Sequence, residues 1–183
     1  MSDYDYIIVG AGSAGSVLAN RLSKNPSNSV LLIEAGGSDR RFYIQMPIGY
    51  GKTYHQKAVN WMYMAEPSPE AGNRSSYWPR GRVLGGSSSI NAMVYVRGNP
   101  KDFDDWHKAG NPGWSYSELL PYFKRMESWQ NGGDNYRGGE GPLNVSDVSS
   151  QLHPLCQNFI AAGEEIGLSF NPDMNGEEQE GVG

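Results

Sequence analysis

Three glycines and one carboxylate near the amino terminus have the types and spacing that could hold a dinucleotide. Gly10, Gly12 and Gly15 form the pattern Gly-x-Gly-x-x-Gly, and Glu34 follows 19 residues after Gly15. In such a pattern the first glycine permits a tight turn, the second lets a pyrophosphate approach the backbone, and the third lets a helix pack closely on a strand. The N-terminus of that helix offers N–H groups and a positive dipole end to the phosphates. Glu34 could accept hydrogen bonds from ribose hydroxyls and would repel the 2′-phosphate of NADP.

The residues around these glycines predict the β-α-β unit that must position them. Residues 4–9 form a β-prone run, residues 16–22 carry apolar side chains at helical spacing, and residues 29–34 predict a second strand buried on both faces. Because strand, helix and acid agree, the pattern indicates an adenine dinucleotide site. A structural turn in a non-binding α/β domain is the alternative, and the motif alone does not distinguish NAD from FAD.

A second run of small residues lies farther along the chain. Gly85 and Gly86 are followed by Ser87, Ser88 and Ser89, and residues 90–96 return to β-like or buried character. Such a run could bring several N–H groups and hydroxyls against a flat or anionic ligand. A serine-rich surface loop is the alternative interpretation.

The residues around this run resemble the first signature of the glucose–methanol–choline oxidoreductase family. The matching positions are Gly81-Arg82, Leu84-Gly85-Gly86-Ser87-Ser88, Ile90-Asn91, Tyr95, Gly98 and Asp104. The flanking segments Asn60-Trp61-x-Tyr63 and Glu34-Ala35-Gly36 also agree with the family. The resemblance covers the whole chain and is greatest to the choline dehydrogenase branch.

The resemblance implies FAD rather than NAD, and an α/β fold. We expect residues 1–145 to be the N-terminal part of an incomplete Rossmann-like FAD-binding domain, and residues 146–183 to begin an α+β substrate domain. The residues that the resemblance assigns to FAD are Gly10, Gly12, Gly15, Glu34, Ala35, Trp61, Arg82, Val83, Leu84, Gly86, Ser87, Asn91, Ala92 and Val94. Core packing is an equal alternative for Trp61.

The residue before the signature asparagine bears on how the flavin is held. Some members of the family attach the flavin covalently through a histidine at that place, where this chain has Ile90. A hydrocarbon side chain cannot form the bond. We therefore expect non-covalent FAD.

The family oxidises a primary or secondary alcohol by transferring hydride to flavin N5, and a histidine near the C-terminus of a much longer chain takes the hydroxyl proton. None of His55, His107 and His153 matches that position, so we expect them to be solvated or capping residues. Cys156 is expected to pack within a helix, and no spacing suggests a metal site. The resemblance thus predicts the N-terminal portion of an alcohol oxidoreductase that is inactive alone.

Two other functions stay open from the sequence. A small NAD-dependent dehydrogenase of the short-chain type needs Tyr-x-x-x-Lys, which none of the eleven tyrosines provides. A non-catalytic flavin-binding module is the other. The sequence leaves open the alcohol, the electron acceptor and the oligomeric state.

Composition narrows the partners and the compartment. The net charge of −5 disfavours nucleic acid, and the sequence has no apolar run long enough to span a membrane. A single cysteine fits a reducing compartment, and the amino terminus lacks the basic region of a signal peptide. We expect a cytoplasmic protein.

The second half of the chain predicts two helices and one strand. Residues 117–129 predict a helix with Leu119, Tyr122, Phe123 and Met126 on one face and Lys124 and Arg125 pointing outward. Residues 131–142 predict a long turn, residues 143–145 a short strand and residues 155–166 a helix. The tail from residue 171 shows no docking element.

Overall fold

The computed structural model describes residues 3–183, which divide into two units, the first ending at Val94 and the second running from Tyr95 to Gly183. The elements of the first unit are β1 (Tyr6–Val9), α1 (Ser13–Leu22), β2 (Val30–Ile33), α2 (Phe42–Gln45), α3 (Tyr50–Thr53), β3 (Tyr63–Ser68) and β4 (Arg74–Trp78). Those of the second are α4 (Pro100–Lys108), α5 (Tyr116–Met126), β5 (Glu127–Trp129), β6 (Leu143–Val145) and α6 (Pro154–Glu165). The boundary after residue 145 stays a prediction of the sequence.

The predicted β-α-β unit is confirmed at the start of the first unit. β1 and β2 pair in parallel from Tyr6 opposite Val30 to Val9 opposite Ile33. The amide and hydroxyl of Ser29 donate hydrogen bonds to the Asp5 carboxylate, and they hold the pKa of that carboxyl below its ordinary value. These bonds join the two strands at their amino-terminal ends. Gly10 and Glu34 directly follow the strands at the opposite, carboxyl-terminal ends.

The prediction that the second strand is buried on both faces is wrong for the described residues. Leu32 is 36% exposed and Ile33 is 46% exposed. The reason is that β1 and β2 form a two-stranded sheet within the described part of the chain. An interior parallel strand needs cover on both faces, which two strands and one helix do not supply.

A small apolar core lies beneath the second glycine run. Val59 and Val83 are fully buried, Ile90 is 3% exposed, and the half-buried Ile44 packs against them. Burial of Ile90 agrees with the predicted character of residues 90–96. The rest of that prediction is wrong, because Val94 and Val96 are exposed and lie outside the regular elements. The core therefore anchors the glycine run at Val83 and Ile90.

In the second unit the predicted strand at residues 143–145 is confirmed, and the helix after residue 115 is shorter than predicted. The chain leaves α5 at Met126, and Glu127–Trp129 becomes β5, parallel to β6. Glu127 is fully buried, which a continued solvent-facing helix could not provide. Tyr122, on the predicted apolar face of α5, is 58% exposed, and the half-buried Lys124 donates from its ammonium to the carbonyl of Asp134 at 2.6 Å, whereas Arg125 is exposed as predicted.

The C-terminal tail docks on its own unit, contrary to the sequence prediction. Val182 is 6% exposed and its side chain lies over Gly163 of α6, where an added Cβ would come within 2.8 Å of it. The Asn171 amide donates to the Val182 carbonyl at 2.9 Å. The predicted helix of residues 155–166 is confirmed as α6, one residue earlier at each end. Gly163 thus leaves the space in which the Val182 side chain packs, and the sequence of the tail did not predict this contact.

Candidate functional site

The first glycine motif forms the turn between β1 and α1, with the strain and packing that its sequence predicts. Gly10 has φ of +97°, which is costly for any residue with a Cβ. At Gly15 an added Cβ would lie 1.9 Å from the Gly10 carbonyl oxygen. Gly12 precedes α1, and no described side chain caps this helix N-terminus. Its first N–H groups are thus not occupied by a capping side chain and suit an anion.

The structure brings the second glycine run directly against the first. Gly86 has φ of +58°, and a Cβ on it would lie 2.8 Å from the Gly12 Cα. The Gly85 amide donates to the Ala11 carbonyl at 2.8 Å, and the hydroxyls of Ser13 and Ser88 are hydrogen-bonded. The serine-rich segment is therefore a packed part of the glycine loop rather than an independent surface loop. Its residues 86–89 form a short 3-10 helix.

Glu34 lies immediately after β2 with its carboxylate held by the glycine loop. One oxygen accepts a hydrogen bond from the Ala11 amide and the other from the Gly36 amide, each at 2.8 Å. The side chain is half-buried, and each carboxylate oxygen has a second lone pair for a ligand. Ala35 beside it is exposed. The predicted ribose contact of Glu34 stays a prediction.

Arg82, Val83 and Leu84 contribute to the site in different ways. Val83 is fully buried in the core, so that only its backbone can face a ligand. Leu84 is 42% exposed, and its amide donates to the Gly37 carbonyl at 2.9 Å. The Arg82 guanidinium donates to the Lys57 carbonyl at 2.8 Å. Val83 thus anchors the segment, whereas the side chains on either side of it stay accessible.

Trp61 is a surface aromatic rather than a core residue. Its ring is 42% exposed and stacks on Tyr63, with the ring centroids 6.0 Å apart and the planes at 5°. The Arg82 guanidinium carbon lies 5.3 Å from the Trp61 ring centroid, a cation–π arrangement. Within the described residues Trp61 is therefore not part of the core. Its proposed contact with a cofactor stays a prediction.

A cavity of about 170 Å³ lies beside Asn91, and the sequence did not reveal its second wall. Ser88, Ser89, Asn91 and Met93 line one side, and the segment Tyr43–Tyr50 lines the other. The side chains of that segment which reach the cavity are Tyr43, Ile44, Met46, Pro47 and Tyr50. The sequence of this segment is aromatic and apolar around a proline. That pattern is equally typical of core residues, so it does not predict a cavity wall.

The end of the signature is a short exposed segment. The Asn91 side-chain oxygen accepts a hydrogen bond from the Met93 amide at 2.9 Å, and Met93 has φ of +61°. Val94 is 79% exposed, and Ala92 is exposed as well. These side chains are available to a ligand, and their contacts with the flavin stay a prediction.

The three histidines have the structural roles that the sequence predicts. His55 is exposed and stacks on Tyr77, and the His153 ring nitrogen accepts a hydrogen bond from the Leu155 amide at the start of α6. His107 lies 3.3 Å from the Glu118 carboxylate. The Ser115 hydroxyl and amide are the main cause of the lowered pKa of Glu118, with a smaller contribution from His107. All three lie in the described part of the chain, and none lines the cavity beside Asn91.

Residues 3–183 contain neither a cluster of metal-ligating side chains nor a helix that could span a membrane. No group of three or more His, Cys, Asp or Glu side chains in that range could hold a metal ion. None of the helices in the described range is long and apolar enough to cross a membrane.

Comparisons with known proteins show that this chain is similar in sequence to flavin-dependent oxidoreductases. A family model described as GMC oxidoreductase matches residues 4–183. The oxygen-dependent choline dehydrogenase of Photobacterium profundum is 52% identical over 181 residues, covering 98% of this chain and 32% of that protein. The chain thus spans about a third of the length of the curated relatives it matches.

Solved structures show the same relation. Pyridoxine 4-oxidase from Mesorbium loti superposes with a TM-score of 0.89 at 40% identity, covering 98% of this chain and 35% of that one. An FAD-dependent oxidoreductase from Chaetomium thermophilum gives a TM-score of 0.77 at 34% identity, covering 95% of this chain and 31% of the other. Both likenesses extend over nearly the whole chain.

Proposed function

Because the chain belongs to the GMC (glucose–methanol–choline) oxidoreductase family, we propose that it is the N-terminal FAD-binding portion of a longer alcohol oxidoreductase of the choline dehydrogenase type. The observation that carries the proposal is the contact between the two glycine loops, where Gly86 packs on Gly12 beside the N-terminus of α1. The relatives named choline dehydrogenase support the substrate class, a small alcohol.

The residues present fit a dinucleotide. A side chain at Gly12 or Gly86 would fill the place where the two loops approach each other. The first turn of α1 carries no acidic residue that would repel a pyrophosphate, and no described side chain caps it. Glu34 lies at the adjoining strand end with lone pairs that could accept from ribose hydroxyls. The electrostatic pattern is therefore positive where phosphates would bind and negative where a ribose would bind.

We assign the cofactor contacts along one path through the first unit. The backbone of Gly10, Gly12 and Gly15 would hold the pyrophosphate, and Glu34 with Ala35 the adenosine ribose. The segment from Arg82 to Val94 would lie along the pyrophosphate and the isoalloxazine, with Trp61 as a further contact. The residues of that segment are Arg82, Val83, Leu84, Gly86, Ser87, Asn91, Ala92 and Val94.

FAD, when bound, supplies an acceptor for the hydride that leaves the alcohol carbon. This chain would bind and orient the cofactor. The glycines of the two loops would let the cofactor approach the backbone, because they have no side chains. The proton of the alcohol needs a base. His55, His107 and His153 are committed to stacking, an acidic neighbour and a helix cap, so we assign the base to none of them.

The binding proposal is tested by titrating FAD and NAD separately into the purified chain while following flavin fluorescence and protein fluorescence. Saturable FAD binding that NAD does not compete for supports the proposal. Saturable NAD binding without FAD binding would favour the small NAD-dependent dehydrogenase instead.

The mode of attachment gives a prediction of its own. Ile90 is buried in the core and is a hydrocarbon, so it offers no nucleophile to the flavin. Acid or denaturant should release all the flavin from the loaded chain, as measured by absorbance of the filtrate. Yellow colour that stays with the polypeptide contradicts non-covalent binding.

Turnover tests the assignment of the base. The FAD-loaded 183-residue chain, mixed with choline or a primary alcohol and a dye acceptor, should reduce the dye no faster than a blank without protein. Photoreduction of the same sample serves as the control that the bound flavin can pass electrons to the dye. Alcohol-dependent dye reduction would mean that this chain carries a base.

A further inference from the structure

Asn60 lies just before Trp61 and is one of the most buried polar side chains of the described residues. It is 1% exposed, and its amide makes four hydrogen bonds. Its nitrogen donates to the Tyr54 carbonyl at 2.8 Å and to the Tyr77 hydroxyl at 3.1 Å. Its oxygen accepts from the amides of Met62 and Arg80, each at 2.9 Å. A carboxamide has two donors and two acceptor lone pairs, so the whole capacity of the side chain is used.

The two amides held by the Asn60 oxygen flank the proposed cofactor residues. Met62 directly follows Trp61 and has φ of +57°, a conformation that a residue with a long side chain rarely adopts. Arg80 lies two residues before Arg82, and its carbonyl accepts from the Trp61 amide at 2.9 Å. The Asn60 oxygen therefore fixes both backbone segments that carry the Trp61 and Arg82 side chains, which lie one over the other.

The same backbone leads to the glycine loops through direct contacts. Asn60 pairs with Gly81 in an antiparallel bridge. At Gly81 an added Cβ would lie 2.1 Å from the Gly86 carbonyl oxygen, and the Gly81 amide donates to the Ser87 hydroxyl at 3.1 Å. Gly86 in turn packs on Gly12. A shift of the Arg80–Gly81 backbone would thus displace the second glycine loop against the first.

We propose that Asn60 is a positioning residue for the FAD site: its oxygen sets the backbone of Met62 and Arg80, and so places Trp61, Arg82 and the Gly81–Ser87 turn toward the cofactor. The inference rests on the proposed function of the chain as an FAD-binding portion. The two halves of the amide have different partners, because the nitrogen donates to Tyr54 and Tyr77 and the oxygen accepts from Met62 and Arg80.

A purely structural role of Asn60 makes a different prediction. β3 and β4 pair as an antiparallel hairpin. If the Asn60 amide only holds this hairpin to the unit, every loss of a hydrogen bond should weaken folding and FAD binding in the same order. If the oxygen positions the site, variants that keep an acceptor should keep FAD affinity even when they fold less stably. Stability and affinity must therefore be measured separately.

The test uses the purified 183-residue chain with Asn60→Asp, Asn60→Ala and Tyr77→Phe. Asp keeps both acceptor contacts and loses both donors, Ala loses all four bonds, and Tyr77→Phe removes one partner of the nitrogen. Asn73→Gly is the matched control, because Asn73 lies in the turn of the same hairpin with φ of +55°, which glycine adopts readily. FAD dissociation constants come from quenching of flavin fluorescence at a temperature where circular dichroism shows each variant folded, and urea unfolding of the apoprotein gives stability.

We expect Asn60→Ala to raise the FAD dissociation constant about tenfold or more, since it leaves the amides of Met62 and Arg80, in partly buried contacts, without their acceptor. Asn60→Asp should stay within about threefold of the unsubstituted chain while unfolding at lower urea than Asn60→Ala, because it buries a carboxylate next to the Tyr54 carbonyl. Tyr77→Phe and Asn73→Gly should change the dissociation constant less than about twofold, because neither contacts the oxygen side. The flavin absorption band should shift in Asn60→Ala alone.

Two results overturn the inference. If affinity follows stability, so that Asn60→Asp binds FAD worse than Asn60→Ala, or if both variants bind FAD as the unsubstituted chain does, Asn60 has no positioning role. A third result is distinguishable from these: if the unsubstituted chain itself does not bind FAD, the proposed function fails and the inference fails with it.

Discussion

At Gly15 a single methyl group would collide with the turn that begins the first glycine motif. The Cβ of an alanine would lie 1.9 Å from the Gly10 carbonyl oxygen and 3.3 Å from a methyl group of Ile8. Because backbone cannot yield as a flexible side chain does, α1 would have to move away from β1. The close packing of α1 on β1 therefore requires a residue without a side chain at position 15.

Gly15→Ala should raise the FAD dissociation constant at least about tenfold and destabilise the chain by about 1–3 kcal/mol, the cost typical of overpacking. Flavin fluorescence and urea unfolding measure the two effects. Gly51→Ala is the control: no described atom lies within 4 Å of its added Cβ, and within α3 alanine should be neutral or stabilising by up to about 1 kcal/mol. Normal FAD binding by Gly15→Ala would contradict the assignment of this turn to the cofactor.

Individual residues of the site differ in how far the sequence could predict them. The roles of Gly10 and Gly15 follow from local backbone demands, a positive φ and a close approach, which the motif encodes. The contact of Gly12 with Gly86 joins positions far apart in the chain, so neither motif alone predicts it. The four partners of Asn60 come from four separate places in the sequence, and no local pattern indicates that they meet.

At the scale of elements, β5 is held in place by a buried charge network. Both oxygens of Glu127, which is fully buried, face arginines that are at most 6% exposed. Arg97 donates to one oxygen, and Arg137 lies 2.7 Å from the other in an ion pair that is not aligned as a hydrogen bond. Arg137 also pairs with Asp173 at 2.7 Å, which joins the C-terminal tail to this network.

Glu127→Gln should destabilise the second unit by about 3–5 kcal/mol, because it keeps the volume but leaves Arg97 and Arg137 buried without their shared carboxylate. Tryptophan fluorescence during urea unfolding measures the transition, and one of the five tryptophans, Trp129, has its ring centroid 4.1 Å from the Arg137 guanidinium carbon. The same change at the exposed Glu140 is the control and should leave the midpoint unaltered. Equal midpoints for the two variants would mean that the ion pairs contribute nothing.

The end of α5 shows why element boundaries were less predictable than element types. Leu119 and Phe123 have helical spacing and are half-buried as predicted, and the helix exists. The apolar spacing continues through Met126 to Trp129, so the pattern extends the helix by three residues. What ends it is the pairing of Glu127 with Leu143 and the burial of its charge, both of which depend on tertiary contacts.

At the scale of the whole molecule, packing divides the chain into two units at Val94, and the end of the cofactor domain at residue 145 stays a prediction of the sequence. Motifs mark where a ligand binds, and the signature extends past Val94 to Asp104, so it does not mark where packing changes. The docking of the C-terminal tail could not be predicted either. Gly163 of α6 and Val182 are far apart in the sequence, and only the folded structure brings them into contact.

This division gives a last prediction, since all the residues assigned to FAD lie between positions 10 and 94. A ligand that binds only the folded state stabilises it by about 2.7 kcal/mol at a concentration 100 times its dissociation constant. Hydrogen exchange read by mass spectrometry should therefore show FAD-dependent protection of β1, α1 and the second glycine run. Peptides of α5 and α6 should exchange at the same rate with and without FAD. Protection confined to the second unit would contradict the assigned site, and NAD at the same concentration provides the control for a non-binding dinucleotide.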